Sequence, residues 1–233
     1  MKALKRIAWS FVSVLLLVTA FYYSGPTTAP PHYDVSFPAV NTPLELINDS
    51  LLNYDRLLNA EPCALSSVVW QDGERESEYV VLYLHGFSAT QHEGDSVRFW
   101  IAERLKANAY YPRIAGHGLQ EEDSIRYATY TATAAWEKAK RDFALATTLG
   151  KKVIIMSCST GTPLALKLAA TFPNKVYALV NYSPNIRLHD PLAALVNGPW
   201  GLELLKWTSG QDYRDLASRA DGIIEECKHR SYC

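Results

Sequence analysis

The chain has 233 residues, of which 48% are hydrophobic and 20% charged, so it is long enough to bury a substantial core. Its formal net charge is -1 and its body contains no basic block, which gives no support to a nucleic-acid partner. The cysteines form no C-x-x-C pair and the histidines do not stand at ligand spacing, so neither a metal site nor a cofactor is expected.

The N-terminus has the pattern of a targeting segment. Basic residues precede an uncharged run from Ile7 to Tyr23, so residues 1–23 are predicted to form a hydrophobic helix. A small-residue cleavage site at 18–20 favours a signal peptide that is removed, whereas the aromatic residues 21–23 favour a retained signal anchor at a membrane interface. Retention predicts a membrane-anchored protein with its domain outside the cytoplasm, and removal predicts a secreted or periplasmic one.

A proline-rich stretch follows. Residues 24–43 include five prolines and little apolar periodicity, which predicts an extended linker. From Leu44 onward apolar residues recur every three or four positions, so a short amphipathic helix is expected to open a domain that comprises residues 44–233.

The domain alternates buried strands with helical patterns. Continuous apolar runs indicate strands that are buried on both faces, and runs with a period of three to four indicate helices between them. The strands are Tyr79–Leu84, a run beginning at Val153 and Val176–Tyr182, and the helical patterns are Val97–Leu105, Trp136–Leu149 and Leu164–Phe172. This alternation predicts an α/β fold with a mostly parallel sheet and helices on both faces.

Small residues surround one serine between a strand and a helix. Ser159 would lie at the apex of a tight turn, with Gly161 two residues later and Ser157 where the usual nucleophile-elbow motif has glycine. Such a turn exposes the hydroxyl and supplies a backbone donor for an oxyanion, and the alternative is a serine-rich turn without chemistry. Cys158 precedes the apex and is predicted to point into the fold, not to act as a thiol nucleophile.

Three motifs in this order resemble the α/β-hydrolase family, particularly its lipase, esterase and monoacylglycerol-lipase-like members. They are L-H-G-F after the first strand, P-R-I-A-G-H-G farther along and S-C-S-T-G after the next strand, and the resemblance extends from Tyr79 to Tyr182. It implies that Ser159 is the nucleophile and that the backbone N–H groups of Phe87 and Thr160 form the oxyanion hole.

The histidines near these motifs have different expected roles. His85 is expected to tie down its own loop, and His117, between two glycines, is expected to be a loop residue. His92 is interpreted as a solvated loop residue, with a place at the pocket entrance as the alternative.

The region after residue 182 lacks the two further strands that normally precede the acid and the histidine of this fold. Residues from about 183 to 210 resemble the short helices of a cap, and the C-terminal part of the fold is expected to be incomplete. Asp190 and His229 satisfy the chain order of an acid and a base, although surface positions are the alternative interpretation for both.

Two functional hypotheses follow. The first is a serine hydrolase that cleaves a small carboxylic ester, with an apolar acyl group, through an acyl-enzyme on Ser159. The second is a membrane-anchored binding protein without catalysis, or an inactive fragment that lacks the acid and the histidine.

Overall fold

The computed structural model describes residues 2–27, 30–120, 127, 129–186 and 198–209. Its helices are α1 (Lys2–Tyr23), α2 (Ile47–Leu57), α3 (Val97–Leu105), α4 (Ala132–Leu149), α5 (Gly161–Thr171) and α6 (Gly201–Ser209). Its strands are β1 (Ser67–Val69), β2 (Ser77–Leu84), β3 (Asn108–Tyr111), β4 (Gly150–Cys158) and β5 (Val176–Tyr182). These elements divide into two compact units, of which the smaller contains α1 and α6 and the larger contains all the others.

In the smaller unit, α1 is the hydrophobic N-terminal helix that the sequence predicts. The ring of Phe21 stacks on that of Trp200 with centroids 5.0 Å apart, and the Trp200 indole N–H donates to the Phe21 carbonyl oxygen at 3.1 Å. Among the helices of the described ranges, none is both long enough and apolar enough to cross a membrane.

The larger unit is built on a five-stranded sheet with the order β1-β3-β2-β4-β5. Strands β3, β2, β4 and β5 are parallel, and β1 pairs with β3 in the antiparallel direction. The predicted mostly parallel sheet is therefore confirmed. The sequence does not predict strand β1, because its three residues are too few to show periodicity.

Helices cover both faces of this sheet. On one face Leu82 joins a buried cluster with Trp136 and Phe143 of α4, and on the other face Tyr83 joins a cluster with Ala102 of α3. Because successive side chains of a strand point to opposite faces, a strand covered on both sides must be apolar throughout. This explains the continuous apolar run of β2.

Part of the predicted linker is packed on the domain. Residues 30–43 have no regular secondary structure, as their prolines suggest, but the Asp34 carbonyl oxygen accepts the Trp136 indole N–H at 2.6 Å. The Asp34 carboxylate pairs with the Lys140 ammonium at 2.6 Å, and the Phe37 ring lies against the rings of Phe143 in α4 and of Phe172 just after α5. The division into linker and domain stays a prediction, and within this stretch the partly buried Phe37 and the ion pair hold the chain against the domain.

A buried ion pair holds the loop after β3 against α2. The Arg113 guanidinium donates to Asp55 Oδ1 at 3.0 and 2.9 Å and to the His117 carbonyl oxygen at 3.0 Å. Asp55 Oδ2 accepts the Ser66 backbone N–H at 2.6 Å, and both charged side chains are almost fully buried. The pair is costly to break because either partner alone would be an uncompensated buried charge.

Removing the charge of Asp55 should therefore destabilise the domain strongly. We expect Asp55→Asn to lower the free energy of unfolding by about 3–5 kcal/mol, measured by urea denaturation. Asp72→Asn is the matched control, because Asp72 pairs with Arg75 at the surface and both side chains are more than half exposed. That control should change the free energy little. Equal effects of the two replacements would contradict the structural role of the buried pair.

Candidate active site

The carboxyl ends of three parallel strands meet at one edge of the sheet. Leu84 of β2 pairs with Ser157 of β4, and Cys158 of β4 pairs with Tyr182 of β5, so the three strands end at about the same level. Ligands of parallel α/β sheets bind beyond this edge. The L-H-G-F and S-C-S-T-G motifs therefore come together here.

Ser159 lies at the apex of the turn between β4 and α5. Its φ of 45° lies in the left-handed region, which residues other than glycine rarely adopt. Its N–H donates to the Tyr182 carbonyl oxygen at 3.3 Å, and its own carbonyl oxygen accepts the Thr162 N–H at 3.0 Å. The residue remains half-buried, so the hydroxyl is held at a strained and accessible position.

Two glycines allow this turn to approach the end of β2. A Cβ on Gly161 would lie 2.2 Å from the Leu84 carbonyl oxygen, and one on Gly86 would lie 3.2 Å from the Ser159 Cβ. The first distance is a steric clash with backbone, so position 161 requires glycine. The glycine pattern of the sequence thus reflects close backbone contact between the two segments.

Ser157 fits where the usual motif has glycine. Its side chain is fully buried, and its hydroxyl donates to Asn181 Oδ1 at 2.6 Å and lies 3.1 Å from the Thr162 hydroxyl. The position therefore needs a small residue, but it has room for a hydroxyl that links β4 to β5.

The backbone N–H groups of Phe87 and Thr160 are the two predicted oxyanion donors. Phe87 follows Gly86, which lies against Ser159, and Thr160 follows Ser159 in the turn. Within the part of the chain that the structure describes, neither N–H donates to a protein acceptor. Their role in an oxyanion hole stays a prediction.

Both ring nitrogens of His85 hydrogen-bond to the backbone. Its Nε2 accepts the Ile114 N–H at 3.1 Å, so its Nδ1 carries the proton and donates to the Gly86 carbonyl oxygen at 2.9 Å. Complete burial, with a smaller effect of neighbouring His117, lowers the pKa of His85 to about 3. The prediction that His85 ties down its own loop is confirmed.

Two further histidines among the described residues of the domain, His92 and His117, also bind within their own loops. His117 is buried, its Nδ1 lies 2.9 Å from the Ala115 carbonyl oxygen, and burial lowers its pKa to about 4. His92 is half-buried, and its Nδ1 lies 3.0 Å from Asp95 Oδ2. Across the described ranges, no histidine side chain hydrogen-bonds to Ser159.

The Cys158 thiol is unsuited to act as a nucleophile. The residue is buried, and desolvation, reinforced by the nearby Glu93 charge, raises the pKa of the thiol to about 12. The prediction that Cys158 points into the fold is confirmed.

Sequence reasoning missed one acidic residue at this site. The Glu93 carboxylate accepts the Gly86 N–H at 2.7 Å and the Tyr83 hydroxyl at 3.1 Å. A lone glutamate in a polar loop shows no periodicity, so the sequence offers no signal for these contacts. Asp190 and His229, the predicted acid and base, lie outside the described residues. No three metal-ligating side chains of the described residues are grouped to hold an ion.

The domain resembles solved structures of hydrolytic enzymes. One match is a structure solved for LipS and LipT, two metagenome-derived lipolytic enzymes. Its TM-score is 0.50, and the identity is 19% over 59% of this chain and 52% of that chain. A second is the thioesterase domain from the curacin biosynthetic pathway, with a TM-score of 0.44 and 18% identity over 64% of this chain and 50% of that one. This chain spans about half the length of both.

No family model and no curated protein matches the sequence. The sheet order, the strained serine turn and the structural match to a lipolytic enzyme nevertheless agree with one another. The chain therefore has the α/β-hydrolase fold.

Replacements of Ser159 should reveal the strain of the turn. Alanine and glycine both remove the hydroxyl, but only glycine adopts a φ of 45° without cost. We expect Ser159→Gly to exceed Ser159→Ala in free energy of unfolding by about 1 kcal/mol, measured by urea denaturation. At Ser50, inside helix α2, the order should reverse, with glycine about 1 kcal/mol less stable than alanine. The same order at both positions would argue against a strained turn.

The two buried histidines should make stability depend on pH. Their pKa values in the folded state are about 3 for His85 and about 4 for His117, against 6.5 for the unfolded group. The unfolded state therefore binds more protons below pH 6.5, and stability should be complete above that pH and fall as the pH drops towards 4. At pH 5 each histidine should lower the free energy of unfolding by about 2 kcal/mol, measured by urea denaturation across the pH range.

The variant His117→Gln isolates this effect, because it removes one of the two titrating groups. Its loss of stability between pH 7 and pH 5 should be smaller than that of the unmodified chain. His32→Gln, at an exposed position, should leave the pH dependence unchanged. An unchanged pH dependence in His117→Gln would contradict the lowered pKa.

Proposed function

We propose that the chain is a serine hydrolase that acts on carboxylic esters through Ser159. One observation carries the proposal: a strained, accessible serine lies at the carboxyl edge of a parallel sheet, near two backbone N–H groups that have no acceptor among the described residues. A hydroxyl in this position meets the exposure requirement of a nucleophile, and the N–H pair meets the requirement of an oxyanion hole.

The proposed reaction has two steps. Ser159 Oγ attacks the ester carbonyl carbon and loses its proton to a base, while the carbonyl oxygen becomes an oxyanion that accepts the Phe87 and Thr160 N–H groups. Collapse breaks the bond to the alcohol oxygen, which takes the proton, and leaves an acyl group on Ser159. Water then attacks the acyl carbon in the same way, releases the acid and restores the hydroxyl.

The base must be sought outside the described histidines. His85 is bonded through both ring nitrogens, and neither it nor His92 or His117 is bonded to Ser159. Asp190 and His229 are proposed as acid and base on the ground that they follow the serine in the order usual for this fold.

An apolar acyl group is proposed for the substrate. The Phe87 side chain is 37% exposed, and its ring contacts those of His117 and Tyr130 with centroids 5.3 and 5.6 Å apart. This aromatic group adjoins the oxyanion donor and offers an apolar wall to a ligand. The lipolytic and thioesterase relatives, by their names, also act on acyl groups.

A binding protein without turnover is the second candidate. The observation that favours it is the absence of any imidazole bonded to Ser159 among the residues described, because a serine without a proton acceptor is a weak nucleophile.

An active-site-directed fluorophosphonate should separate the two candidates. We expect one label per chain, located at Ser159 by peptide mass spectrometry, and hydrolysis of p-nitrophenyl esters that prefers butyrate or longer acids over acetate. Ser159→Ala should abolish the label and reduce kcat by about a thousandfold or more. Ser50→Ala, an exposed serine on α2, should change neither.

Two outcomes would redirect the interpretation. An unlabelled and inactive chain would contradict the hydrolase and favour the binding protein. Activity that persists in His229→Ala would retain the hydrolase but exclude His229 as its base.

A further inference from the structure

The loop after β2 must hold one oxyanion donor in place. Residues 85–96 connect β2 to α3 and contain only a short 3-10 turn, Gln91–Gly94. The Phe87 N–H in this loop has no bond of its own among the described residues, so other contacts must fix its direction. An oxyanion donor acts only when it is already oriented, and a displacement of about 1 Å costs much of its effect.

Hydrogen bonds of Glu93 hold this loop against the end of β2. Its Oε2 accepts the Gly86 N–H at 2.7 Å and the Tyr83 hydroxyl at 3.1 Å. Gly86 immediately precedes Phe87, so the first bond fixes the backbone just ahead of the Phe87 N–H. Gly94, next to Glu93, adjoins the Tyr83 ring so closely that a Cβ would lie 2.7 Å from Tyr83 Cζ.

The same carboxylate also reaches the nucleophile segment. The Glu93 charge acts on the Cys158 thiol, one residue before Ser159, and contributes with burial to the raised pKa of that thiol. A Cβ on Gly86 would have Glu93 Oε1 at 2.8 Å and the Ser159 Cβ at 3.2 Å as near neighbours. Glu93 thus lies at the place where the loop that carries Phe87 meets the turn that carries Ser159.

The charge of Glu93 argues for this positioning role over direct participation. A carboxylate next to a developing oxyanion would repel it and raise the barrier. The Gly86 N–H and the Tyr83 hydroxyl donate to this carboxylate and hold it against the loop. Glu93 is an exposed residue, yet its carboxylate bonds inward to a backbone N–H.

We propose that Glu93 is a positioning residue that orients the Phe87 N–H beside Ser159. This inference rests on the proposed hydrolase function of the same site. The two claims can be separated, because the ordering of the loop is measurable without turnover.

Hydrogen–deuterium exchange of the full chain tests the ordering. In Glu93→Ala the peptide that contains Gly86 and Phe87 should exchange faster than in the unmodified chain, because the Gly86 N–H loses its acceptor. Glu93→Gln keeps a carbonyl oxygen at the same reach and should restore most of the protection. Glu103→Ala, an exposed glutamate on α3, is the matched control and should leave this peptide unchanged. Equal exchange in Glu93→Ala and the unmodified chain would overturn the proposal, whatever the activity.

Ester hydrolysis tests the consequence. Glu93→Ala should lower kcat by about a hundredfold, as expected for a misplaced oxyanion donor, with little change in KM. Glu93→Gln should recover to within about tenfold of the unmodified chain, and Glu103→Ala should match it. An unchanged kcat in Glu93→Ala would overturn the positioning role. A chain that neither reacts with fluorophosphonate nor hydrolyses esters would instead refute the hydrolase function, and the exchange result alone would then decide whether Glu93 orders the loop.

Discussion

Close backbone contact between the end of β2 and the turn after β4 is the constraint on which the candidate site depends. Gly161 lies directly against the Leu84 carbonyl oxygen, and Gly86 adjoins Ser159. Because side chains are excluded from this contact, the turn must be sharp and Ser159 must take a left-handed conformation. The same contact brings Gly86, which precedes Phe87, against Ser159, which precedes Thr160. The close approach of the two segments thus depends on the missing Cβ atoms of two glycines.

Polar side chains hold the loops at this edge of the sheet in place. His85 joins the loop after β2 to the loop after β3 through the Ile114 N–H, and Arg113 joins that second loop to Asp55 on α2. Both imidazoles of the H-G and G-H-G motifs are neutral because they are buried, so they contribute hydrogen bonds and volume without charge. These histidines are parts of the scaffold that holds the loops after β2 and β3.

Most of the fold could be predicted from the sequence, because burial on both faces leaves a continuous apolar run in β2 and β4. Strand β5 has a similar run and is predicted from it, although its residues are only partly buried or exposed. Strand β1 could not be predicted, since three residues show no period, and the docking of Phe37 could not, since prolines around it suggest a linker. At the site, motif spacing predicted the turn at Ser159, whereas the contacts of Glu93 depend on the path of a loop that no pattern encodes. Local sequence patterns thus predicted the strands, the helices and the turn at Ser159, whereas features that depend on tertiary contacts could not be predicted.

The buried thiol beside Ser159 affects how the site can be probed chemically. Burial raises the pKa of the Cys158 thiol to about 12, so very little of it is ionised at neutral pH, and the thiolate is the form that reacts with alkylating agents and peroxide. Iodoacetamide-type reagents should therefore leave the folded site untouched, and oxidants should not switch it off through this cysteine. A reagent that modifies this turn is therefore expected to react with an oxygen atom and not with the Cys158 sulfur.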